Sequence, residues 1–416
     1  MRTFYHKGSR VIVNAYITRM GIFSKTVPVS TDEKKIDELL SRGVSEVIVK
    51  EDLRRKLLSG KRLRVKLGID PTSPNIHIGR AVALWKLRAF QDLGHTAVFI
   101  VGDATGVVGD TSDKEAERPM LSQDKVRENM KTYFDQAFKI LDPQKTETHY
   151  NSEWLDKLGF LELTRMASLF GLNEFASREL IAKRMDAGQR VSFHELLYPL
   201  MQGYDSVAVR ADVELGGTDQ RFNLLAGRDI QKLYKQESQD VVTVELLEGT
   251  DGRKMSSSWG NVVNILDTSN DMFGKIMSVK DELVEKYFNL CTRVPLEETH
   301  SILSQHPKDA KLRLAFEITA LYHGKEAAEK AKQEWENTFS KGEAPTDIPE
   351  TAVEPGTSYL DALAILGESK SNLRRLAEQG AITADGSEAV KDLSRSVPQT
   401  QTLRIGKHRF LKIIVK

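Results

Sequence analysis

Cysteine and long apolar runs are what this sequence has least of. The 416 residues include a single cysteine, Cys291. One thiol excludes an internal disulfide and a cysteine-based zinc site, and it fits a reducing compartment. No apolar run approaches the ~20 residues that a membrane-spanning helix needs. We therefore expect a soluble, cytoplasmic protein with no membrane partner.

The net charge is also close to zero, because the chain has 60 basic and 59 acidic residues. A nucleic-acid partner would therefore have to be held by a local basic patch rather than by the charge of the whole chain. The chain is longer than one typical domain, so two or three domains are expected. Its apolar fraction of 40% is ordinary for a globular protein with a large core.

The first 31 residues carry five basic side chains and no acidic one. That bias is typical of an organellar transit peptide. A disordered basic arm or a wrongly assigned start codon would also account for it. From Thr31 the pattern changes, since residues 31–36 resemble a capped helix start, and Leu39 and Leu40 lie on the apolar face of that helix.

A strand, a turn and a helix follow each other between residues 63 and 93. Leu63–Ile69 alternates apolar and polar side chains, as a half-buried strand does. Ala81–Leu93 has helical spacing and is followed by Gly94, a common helix-terminating residue. Two prolines, His77 and Gly79 lie between them, and Gly68 stands near the end of the strand. The start of the helix would offer free N–H groups and the positive end of its dipole, which predicts a phosphate site.

The next segments extend this unit into a sheet. His95–Val101 is a continuous apolar run typical of a buried parallel strand, and the glycine-rich segment 102–110 follows it. Strand, helix and strand in this order predict an α/β fold with a parallel sheet covered by helices. Val213–Gln220 repeats the strand-then-glycine pattern, and Asp240–Leu247 predicts another strand.

Helical patterns fill the intervals at about 122–141 and 153–189, and they dominate again from about 268 to 336. Residues 338–357 hold three prolines and four acidic residues, which predicts an extended linker. The last part, 358–416, has ten basic against six acidic residues. We expect it to be a small basic module.

A second candidate site element is the loop Asp251–Asn261. It is rich in small residues and contains Arg253 and Lys254, so it can close over a polyphosphate and stabilise charge that develops there. On its own such a run is an ordinary solvated loop, just as His77 alone would be a structural imidazole. The two gain meaning together, since both would lie at one edge of the same sheet.

His77-Ile78-Gly79-Arg80 and Lys254-Met255-Ser256-Ser257-Ser258 resemble the two ATP motifs of class I aminoacyl-tRNA synthetases, usually His-Ile-Gly-His and Lys-Met-Ser-Lys-Ser. From about residue 33 onward the chain resembles the tyrosyl-tRNA synthetases of this class. The further motifs that carry the resemblance are Gly68-x-Asp70-Pro71-Thr72, Gly102-Asp103-Ala104-Thr105-Gly106, Gly109-Asp110, Tyr198-x-x-x-Gln202-x-x-Asp205 and Gly216-Gly217-Thr218-Asp219-Gln220.

The resemblance implies a reaction and an architecture. Tyrosine would be activated by ATP, with Mg²⁺, to tyrosyl-adenylate and then transferred to tRNA(Tyr). The architecture would be a Rossmann-like, doubly wound parallel sheet in the catalytic domain, then an α-helical domain and a small α+β RNA-binding module. A homodimer would form through the insertion between the two halves of the sheet. The implied boundaries are a basic extension at 1–32, the catalytic domain at 33–267, an anticodon-side helical domain at 268–337, a linker at 338–357 and the RNA-binding module at 358–416.

Site roles follow from the same resemblance. Tyrosine binding is implied for Thr105, Asp110, Tyr198, Gln202 and Asp205. Asp205 would meet the phenolic hydroxyl, since rejection of phenylalanine needs a buried polar group that phenylalanine leaves unpaired. ATP and adenylate binding is implied for Gly68, Asp70, Thr72, His77, Gly79, Asp219, Gln220, Lys254, Met255 and Ser257. The groups that stabilise charge on the phosphates would be His77, Arg80, Lys114, Arg118 and Lys254. RNA contacts are implied for Lys370, Arg374, Arg375, Lys407 and Arg409.

The chain departs from the family pattern at three positions. Arg80 stands at the usual second histidine, Ser257 at the usual second lysine, and Lys66 where many members carry a tyrosine that touches the phenol. Arg80 keeps a permanent charge that can bind phosphate, so we expect an active enzyme. Two alternatives stay open: a tryptophanyl enzyme of the same fold, and a non-catalytic RNA-binding relative.

Overall fold

The computed structural model describes residues 28–110, 120–256, 259–340, 348–366, 370–384, 388–406 and 409–416. Most of the predicted extension 1–32 lies outside these ranges, as do Lys114, Arg118, Ser257 and Lys407. Among the helices of the described ranges, none has the length and apolarity to cross a membrane.

A six-stranded sheet forms the centre of the first 250 residues. Its strands are β1 (Val44–Ile48), β2 (Arg64–Ile69), β3 (Thr96–Val101), β4 (Thr146–Tyr150), β5 (Val213–Gly217) and β6 (Asp240–Val244). They lie in the order β1-β6-β5-β2-β3-β4, with β1 antiparallel to β6 and all other pairs parallel. The chain leaves β2 toward β3 and β4 and then returns to the other side of β2. This reversal between β2 and β5 opens a crevice at the carboxyl ends of the strands, where ligands bind in such sheets.

Helices cover both faces of this sheet. They are α1 (Glu33–Leu39), α2 (Lys50–Leu58), α3 (Ile78–Asp92), α4 (Asp103–Val108), α5 (Gln123–Met130), α6 (Tyr133–Ala137), α7 (Ser152–Leu155), α8 (Phe160–Ala167), α9 (Leu172–Ala176), α10 (Glu179–Asp186), α11 (Phe193–Val209) and α12 (Arg221–Leu233). The helix predicted to start near Thr31 is α1, and Asp32 caps it by accepting a 3.2 Å bond from Lys35 N. Ser192 and Glu195 form a capping box at the start of α11.

The two faces of β2 are used differently. Val65, Leu67 and Ile69 enter the main hydrophobic core. Lys66 contacts residues of α11 and lies on the opposite face, which Gly68 shares because successive strand residues alternate. The face of β2 toward α11 is therefore polar, and it ends at the carboxyl edge of the sheet.

Five further helices follow the sheet, as the sequence predicts. They are α13 (Ser269–Met277), α14 (Val284–Cys291), α15 (Leu296–Leu303), α16 (Pro307–His323) and α17 (Lys325–Ser340). Buried residues of this region, such as Phe273, Tyr287 and Leu314, belong to the same core cluster as the sheet. The Trp85 indole on α3 also donates a 2.9 Å bond to the Tyr322 hydroxyl on α16.

The C-terminal part has a core of its own around Leu373, Leu403 and Leu411. Its elements are β7 (Glu350–Val353), α18 (Tyr359–Ala362), α19 (Lys370–Glu378), β8 (Ile382–Ala384), β9 (Glu388–Ala389), β10 (Gln401–Ile405) and β11 (Arg409–Val415). The strand order is β7-β11-β10-β8-β9, with β7 parallel to β11 and the other pairs antiparallel. This is a small α+β unit.

Several elements differ from the sequence-based expectation. The helical stretches expected at 122–141 and 153–189 are broken into shorter helices. Strands β1 and β4 were not predicted from the sequence, because both are short and half-exposed. Within the predicted linker 338–357, β7 pairs with β11, so this segment contributes a strand to the C-terminal sheet.

Candidate active site

The turn between β2 and α3 is held by side chains from α5 and α6. Asn129 Nδ2 donates to the Pro71 carbonyl at 2.9 Å, and the Tyr133 hydroxyl donates to the Ser73 carbonyl at 2.7 Å. Gln136 makes two more bonds, both of 2.8 Å. Its Nε2 donates to the Pro74 carbonyl, and its Oε1 accepts from Ile76 N. Because its carbonyls are satisfied this way, the turn has a fixed shape although it lies outside regular structure.

His77 is the N-cap of α3, as its position in the sequence predicts. Its Nδ1 accepts a 3.3 Å bond from Arg80 N, so the ring proton of the neutral imidazole lies on Nε2. Burial, reinforced by the charge of Arg80, lowers the pKa of His77 to about 3. His77 is therefore a neutral N–H donor at the positive end of a helix.

Arg80 is occupied at the base of the same turn. Its guanidinium donates to Thr72 Oγ1 at 2.7 Å, to the Tyr133 hydroxyl at 3.1 Å and to the Asp70 carbonyl at 3.3 Å. Three such bonds fix the arginine beside the turn. Its charge therefore lies close to the helix start and contributes to the positive potential there.

The Lys254 loop adjoins this turn. A Cβ on Gly79 would lie 3.0 Å from Met255 Sδ and 3.1 Å from His77 Nδ1, so any larger residue would have to push the two motifs apart. Asn261 closes the base of the loop: its Nδ2 donates to Asp251 Oδ1 at 2.8 Å, and its Oδ1 accepts from Ser256 N at 2.9 Å. Lys254 itself is exposed. The loop thus has an anchored base and presents a cation at its surface.

A second group of polar side chains lies where α11 packs over β2. Asp70 Oδ1 accepts from Thr105 Oγ1 at 2.8 Å, and Asp70 Oδ2 accepts from the Tyr198 hydroxyl at 2.9 Å. Burial raises the pKa of the Asp70 carboxyl to about 6, with a further increase from the charge of Asp110. A bound cation would relieve this concentration of negative charge.

Two glycines give this group its shape. A Cβ on Gly102 would lie 2.2 Å from Asp70 Oδ1, so the approach of the two requires glycine. At Gly68 a Cβ would meet no atom within 4 Å. We call this open space over Gly68, between the contacts of Asp70 and those of Lys66, the Gly68 pocket.

Asp205 lies on α11 and is 3% exposed. Its Oδ1 accepts from Trp154 Nε1 at 2.7 Å, and its Oδ2 accepts from Asn151 Nδ2 at 3.3 Å. Burial raises the pKa of the Asp205 carboxyl to about 7, although the charge of Lys66 and these two hydrogen bonds lower it. Its oxygens keep lone pairs for one more donor, such as a hydroxyl group.

Sequence reasoning missed Asn151 and Trp154. They follow β4 directly, at the carboxyl edge of the sheet, and this placement was the available signal. Asn151 also connects two parts of the site, because its Nδ2 donates to Thr105 Oγ1 at 2.9 Å. It was not found because β4 itself was not predicted.

The remaining predicted residues line the same edge. Gln220 Nε2 donates to Asp110 Oδ2 at 2.6 Å and to Asp219 Oδ2 at 3.1 Å. Gln202 Nε2 donates to Glu214 Oε1 at 3.1 Å. The amide oxygen of Gln202 is thereby directed away from Glu214 and can accept a bond from a cation.

The structure brings most of the predicted site residues into two adjoining groups. One group offers N–H donors and cations around the α3 start: Thr72, His77, Gly79, Arg80, Lys254 and Met255. The other offers carboxylates and acceptors around the Gly68 pocket: Gly68, Asp70, Thr105, Asp110, Tyr198, Gln202, Asp205, Asp219 and Gln220. The first suits a polyphosphate, and the second suits a small ligand that carries an ammonium and a hydroxyl.

The predicted RNA residues lie elsewhere. Lys370, Arg374 and Arg375 are exposed on α19, while Leu373 and Ala377 of that helix face the C-terminal core. Arg409 begins β11, next to the end of β10. The basic face of α19 is therefore free of a core-packing role.

Comparison with known proteins agrees with this geometry. Residues 58–340 match the family model of class I tRNA synthetases (W and Y). The chain is 46% identical to the tyrosine--tRNA ligase of Carboxydothermus hydrogenoformans over 400 residues, which covers 91% of this chain and 97% of the relative. It is 44% identical to the enzyme of Thermotoga maritima over 394 residues, with coverage of 92% and 98%.

Solved structures share the fold at lower identity. A C-terminally truncated mitochondrial tyrosyl-tRNA synthetase of Aspergillus nidulans has a TM-score of 0.63 at 24% identity, covering 73% of this chain and 94% of that one. The tyrosyl-tRNA synthetase of Archaeoglobus fulgidus, in complex with L-tyrosine, has a TM-score of 0.59 at 22% identity, covering 72% and 100%. The chain thus belongs to the class I tRNA synthetase family of the tryptophan and tyrosine enzymes, on its tyrosine--tRNA ligase branch.

Proposed function

We propose that this chain attaches tyrosine to tRNA(Tyr) with ATP, through a tyrosyl-adenylate. The observation that supports this most strongly is the juxtaposition of the Gly68 pocket, rich in carboxylates, with the donor-rich start of α3. A substrate whose ammonium lies by Asp70, Asp110, Tyr198 and Gln202 would direct its carboxylate toward phosphates held at His77. Class I membership and relatives at 44–46% identity support the same reaction.

The chemistry needs no nucleophile from the protein. The tyrosine carboxylate attacks the α-phosphorus of ATP, the bond to the bridging oxygen breaks, and pyrophosphate leaves. The protein contributes by positioning the two substrates and by stabilising the charge that develops on the phosphates. His77 Nε2–H and the α3 N-terminus would do so from one side, and Lys254 from the loop. A hydroxyl at the 3′ end of the tRNA then attacks the carbonyl carbon of the adenylate, the bond from that carbon to the phosphate oxygen breaks, and AMP leaves.

Mg²⁺ is part of this proposal, although it is not required by any contact described above. It prefers oxygen ligands and usually binds one or two carboxylates together with phosphate oxygens. Asp219 offers a carboxylate at this edge of the sheet, so the donor chemistry fits. The ion would neutralise phosphate charge when ATP binds.

Selection of tyrosine is assigned to Asp205. A hydroxyl that donates to its carboxylate completes a buried polar site, and phenylalanine would leave that site unpaired. The tryptophan alternative is disfavoured, since the relatives at 44–46% identity that cover most of the chain are tyrosine--tRNA ligases.

Partners are proposed from two surfaces. The crossover between β4 and β5 exposes several large apolar side chains, which favours a homodimer formed through this insertion. These side chains are Phe160 (81% exposed), Leu161 (82%), Leu172 (70%) and Phe193 (73%). The exposed cations of α19, with Arg409, would bind the tRNA backbone by charge. A cytoplasmic location is likewise a proposal; Cys291 is a buried free thiol, which suits a reducing compartment.

Tyrosine-dependent ATP–pyrophosphate exchange tests the proposal. We expect exchange with tyrosine and far less with phenylalanine or tryptophan, since only tyrosine donates a phenolic hydroxyl to Asp205. Exchange with tryptophan instead would select the tryptophanyl alternative. RNA binding without exchange for any amino acid would select the non-catalytic relative.

A further inference from the structure

Lys66 is a fully buried ammonium beneath the Gly68 pocket. Its side chain is 0% exposed, and its Nζ lies 2.8 Å from Glu214 Oε1. The same Nζ donates to Ser206 Oγ and to the Gln202 carbonyl, each at 2.8 Å. These three contacts use all three donors of the ammonium. A lysine buried so completely in the interior is uncommon unless it is paired, as here.

Glu214 on β5 connects the lysine to the pocket. Its Oε1 also accepts from Gln202 Nε2 at 3.1 Å, and its Oε2 accepts from Ser206 Oγ at 3.1 Å and from Gln239 Nε2. Because Glu214 can only accept hydrogen bonds, it fixes which end of the Gln202 amide faces it. The ion pair therefore sets the orientation of a residue assigned to the substrate ammonium.

The contacts between β2 and α11 follow one another along the strand. Arg64 donates to the Val209 carbonyl at 2.8 Å, Lys66 contacts Gln202 and Ser206, and Asp70 accepts from Tyr198. Gly68 is the one position in this row that leaves open space. Lys66 is its neighbour on the same face of the strand, so the lysine side chain borders the pocket.

Charged and polar groups on the elements packed around Asp205 change the pKa of its carboxyl. Burial is the largest influence and raises its pKa, Lys66 on β2 lowers it, and Glu214 on β5 raises it. Trp154 and Asn151 lower the pKa through their hydrogen bonds. Burial is the main reason that the pKa of the Tyr198 hydroxyl is raised, and the charge of Asp205 adds to that increase. Of the two buried charges, Lys66 has the larger effect on Asp205.

We propose that Lys66 is a positioning residue for tyrosine selection. Its pairing with Glu214 fixes the Gln202 amide, and its bonds to Gln202 and Ser206 fix the segment of α11 that carries Asp205. The inference rests on the proposed assignment of Asp205 to the phenolic hydroxyl. Lys66 itself touches no reacting atom.

The test is the pH dependence of selectivity, measured as the ratio of kcat/KM for tyrosine to that for phenylalanine in pyrophosphate exchange. The ratio isolates Asp205, because groups that bind the shared ammonium act on both substrates. Selectivity is expected to rise with pH as Asp205 ionises, around its pKa of about 7. In Lys66→Gln the midpoint moves upward by about one pH unit or more, since an opposite charge nearby is worth 1–3 units.

Glu214→Gln should shift the midpoint of the selectivity profile in the opposite direction. Removing this negative charge moves the midpoint downward, whereas general damage to the pocket would move both variants in the same direction. The double variant Lys66→Gln/Glu214→Gln retains hydrogen-bonding side chains without either charge. Its midpoint lies above that of the unmodified chain, because Lys66 has the larger effect, and Lys66→Arg restores the original midpoint at least in part.

Lys86→Gln is the matched control. Lys86 is another buried lysine, but its Nζ donates to the carbonyls of Leu39 and Arg42, at 2.8 and 2.7 Å, away from the pocket. We expect the midpoint of this variant to equal that of the unmodified chain.

Two results would overturn the inference. One is an unchanged midpoint in a folded Lys66→Gln variant, and the other is a shift of the same sign in Lys66→Gln and Glu214→Gln. Asp205→Asn separates this failure from that of the proposed function. If Asp205→Asn also keeps the selectivity of the unmodified chain and its pH dependence, the assignment of Asp205 to the phenol is wrong.

Discussion

The two halves of the site are built in opposite ways. Around the Gly68 pocket, the side chains are buried and cross-linked: Asp70 holds Thr105 and Tyr198, and Asp205 holds Trp154 and Asn151. On the phosphate side, Lys254 is an exposed side chain on a loop whose base is held by Asn261. The Gly68 pocket is therefore ordered before a substrate binds, whereas the phosphate side presents its cation at the surface.

This difference matches the two tasks. Discrimination between amino acids requires polar groups that are buried and already oriented, since only then does a wrong substrate leave them unpaired. Charge stabilisation during phosphoryl chemistry requires cations that reach the phosphates when these are bound. We therefore expect substitutions in the first half to change selectivity and those in the second to change rate.

The largest effect is expected at Asp205. Replacement by alanine removes the acceptor for the phenolic hydroxyl, so selectivity for tyrosine over phenylalanine should fall by roughly 10⁴-fold. The measurement is kcat/KM for both amino acids in pyrophosphate exchange.

Asp212→Ala is the control for that substitution. Asp212 also accepts two hydrogen bonds, from Lys61 Nζ at 3.0 Å and from Arg64 N at 2.9 Å, but it precedes β5 at the opposite edge of the sheet. The selectivity of Asp212→Ala for tyrosine over phenylalanine should stay near that of the unmodified chain. Equal, small effects of the two substitutions would remove Asp205 from the pocket.

A smaller effect, confined to rate, is expected for Lys254→Ala. Loss of one group that stabilises developing charge costs about 10²–10³ in kcat. The KM for tyrosine should change little, because the pocket does not depend on the loop. Lys330→Ala is a suitable control, since Lys330 is an exposed lysine on α17 paired with Glu326 at 2.9 Å. A large rise in the KM for tyrosine in Lys254→Ala would contradict the division of tasks.

The smallest effect is expected in the C-terminal module. Arg374→Ala/Arg375→Ala removes two exposed cations of α19, so the KM for tRNA should rise by about 10-fold. The slope of log affinity against log salt concentration should become shallower by about one for each lost phosphate contact. Pyrophosphate exchange, which needs no tRNA, should not change. Arg313→Ala, on α16, controls for the loss of an exposed arginine; an equal effect there would argue against an RNA surface on α19.

Much of the fold could be predicted because its signals are local. The alternation of Arg64–Ile69, the helical spacing before Gly94 and the apolar run into Val101 each specify an element with little help from the rest of the chain. Gly94 has φ of +95°, a conformation that glycine adopts most readily. The parallel sheet then follows from the order of these elements.

What could not be predicted depends on contacts between distant residues. Strand β4 is half-exposed and carries no clear pattern, so Asn151 and Trp154 at its end were missed. Lys66 was recognised only as a departure from a pattern. Its role depends on Glu214, 148 positions later in the sequence, and the parallel pairing of β2 with β5 brings the two residues together as register partners. Buried ion pairs of this kind leave no periodic signal.

The most direct test of the account is the shift in melting temperature that tyrosine causes in the unmodified chain, in Asp205→Ala and in Lys254→Ala. A ligand that binds the native state raises its melting temperature. We predict a clear shift with tyrosine, but not with phenylalanine, in the unmodified chain and in Lys254→Ala, and its loss in Asp205→Ala. A full tyrosine shift in Asp205→Ala, or its loss in Lys254→Ala, would contradict the separation of a fixed amino-acid pocket from the phosphate-binding loop.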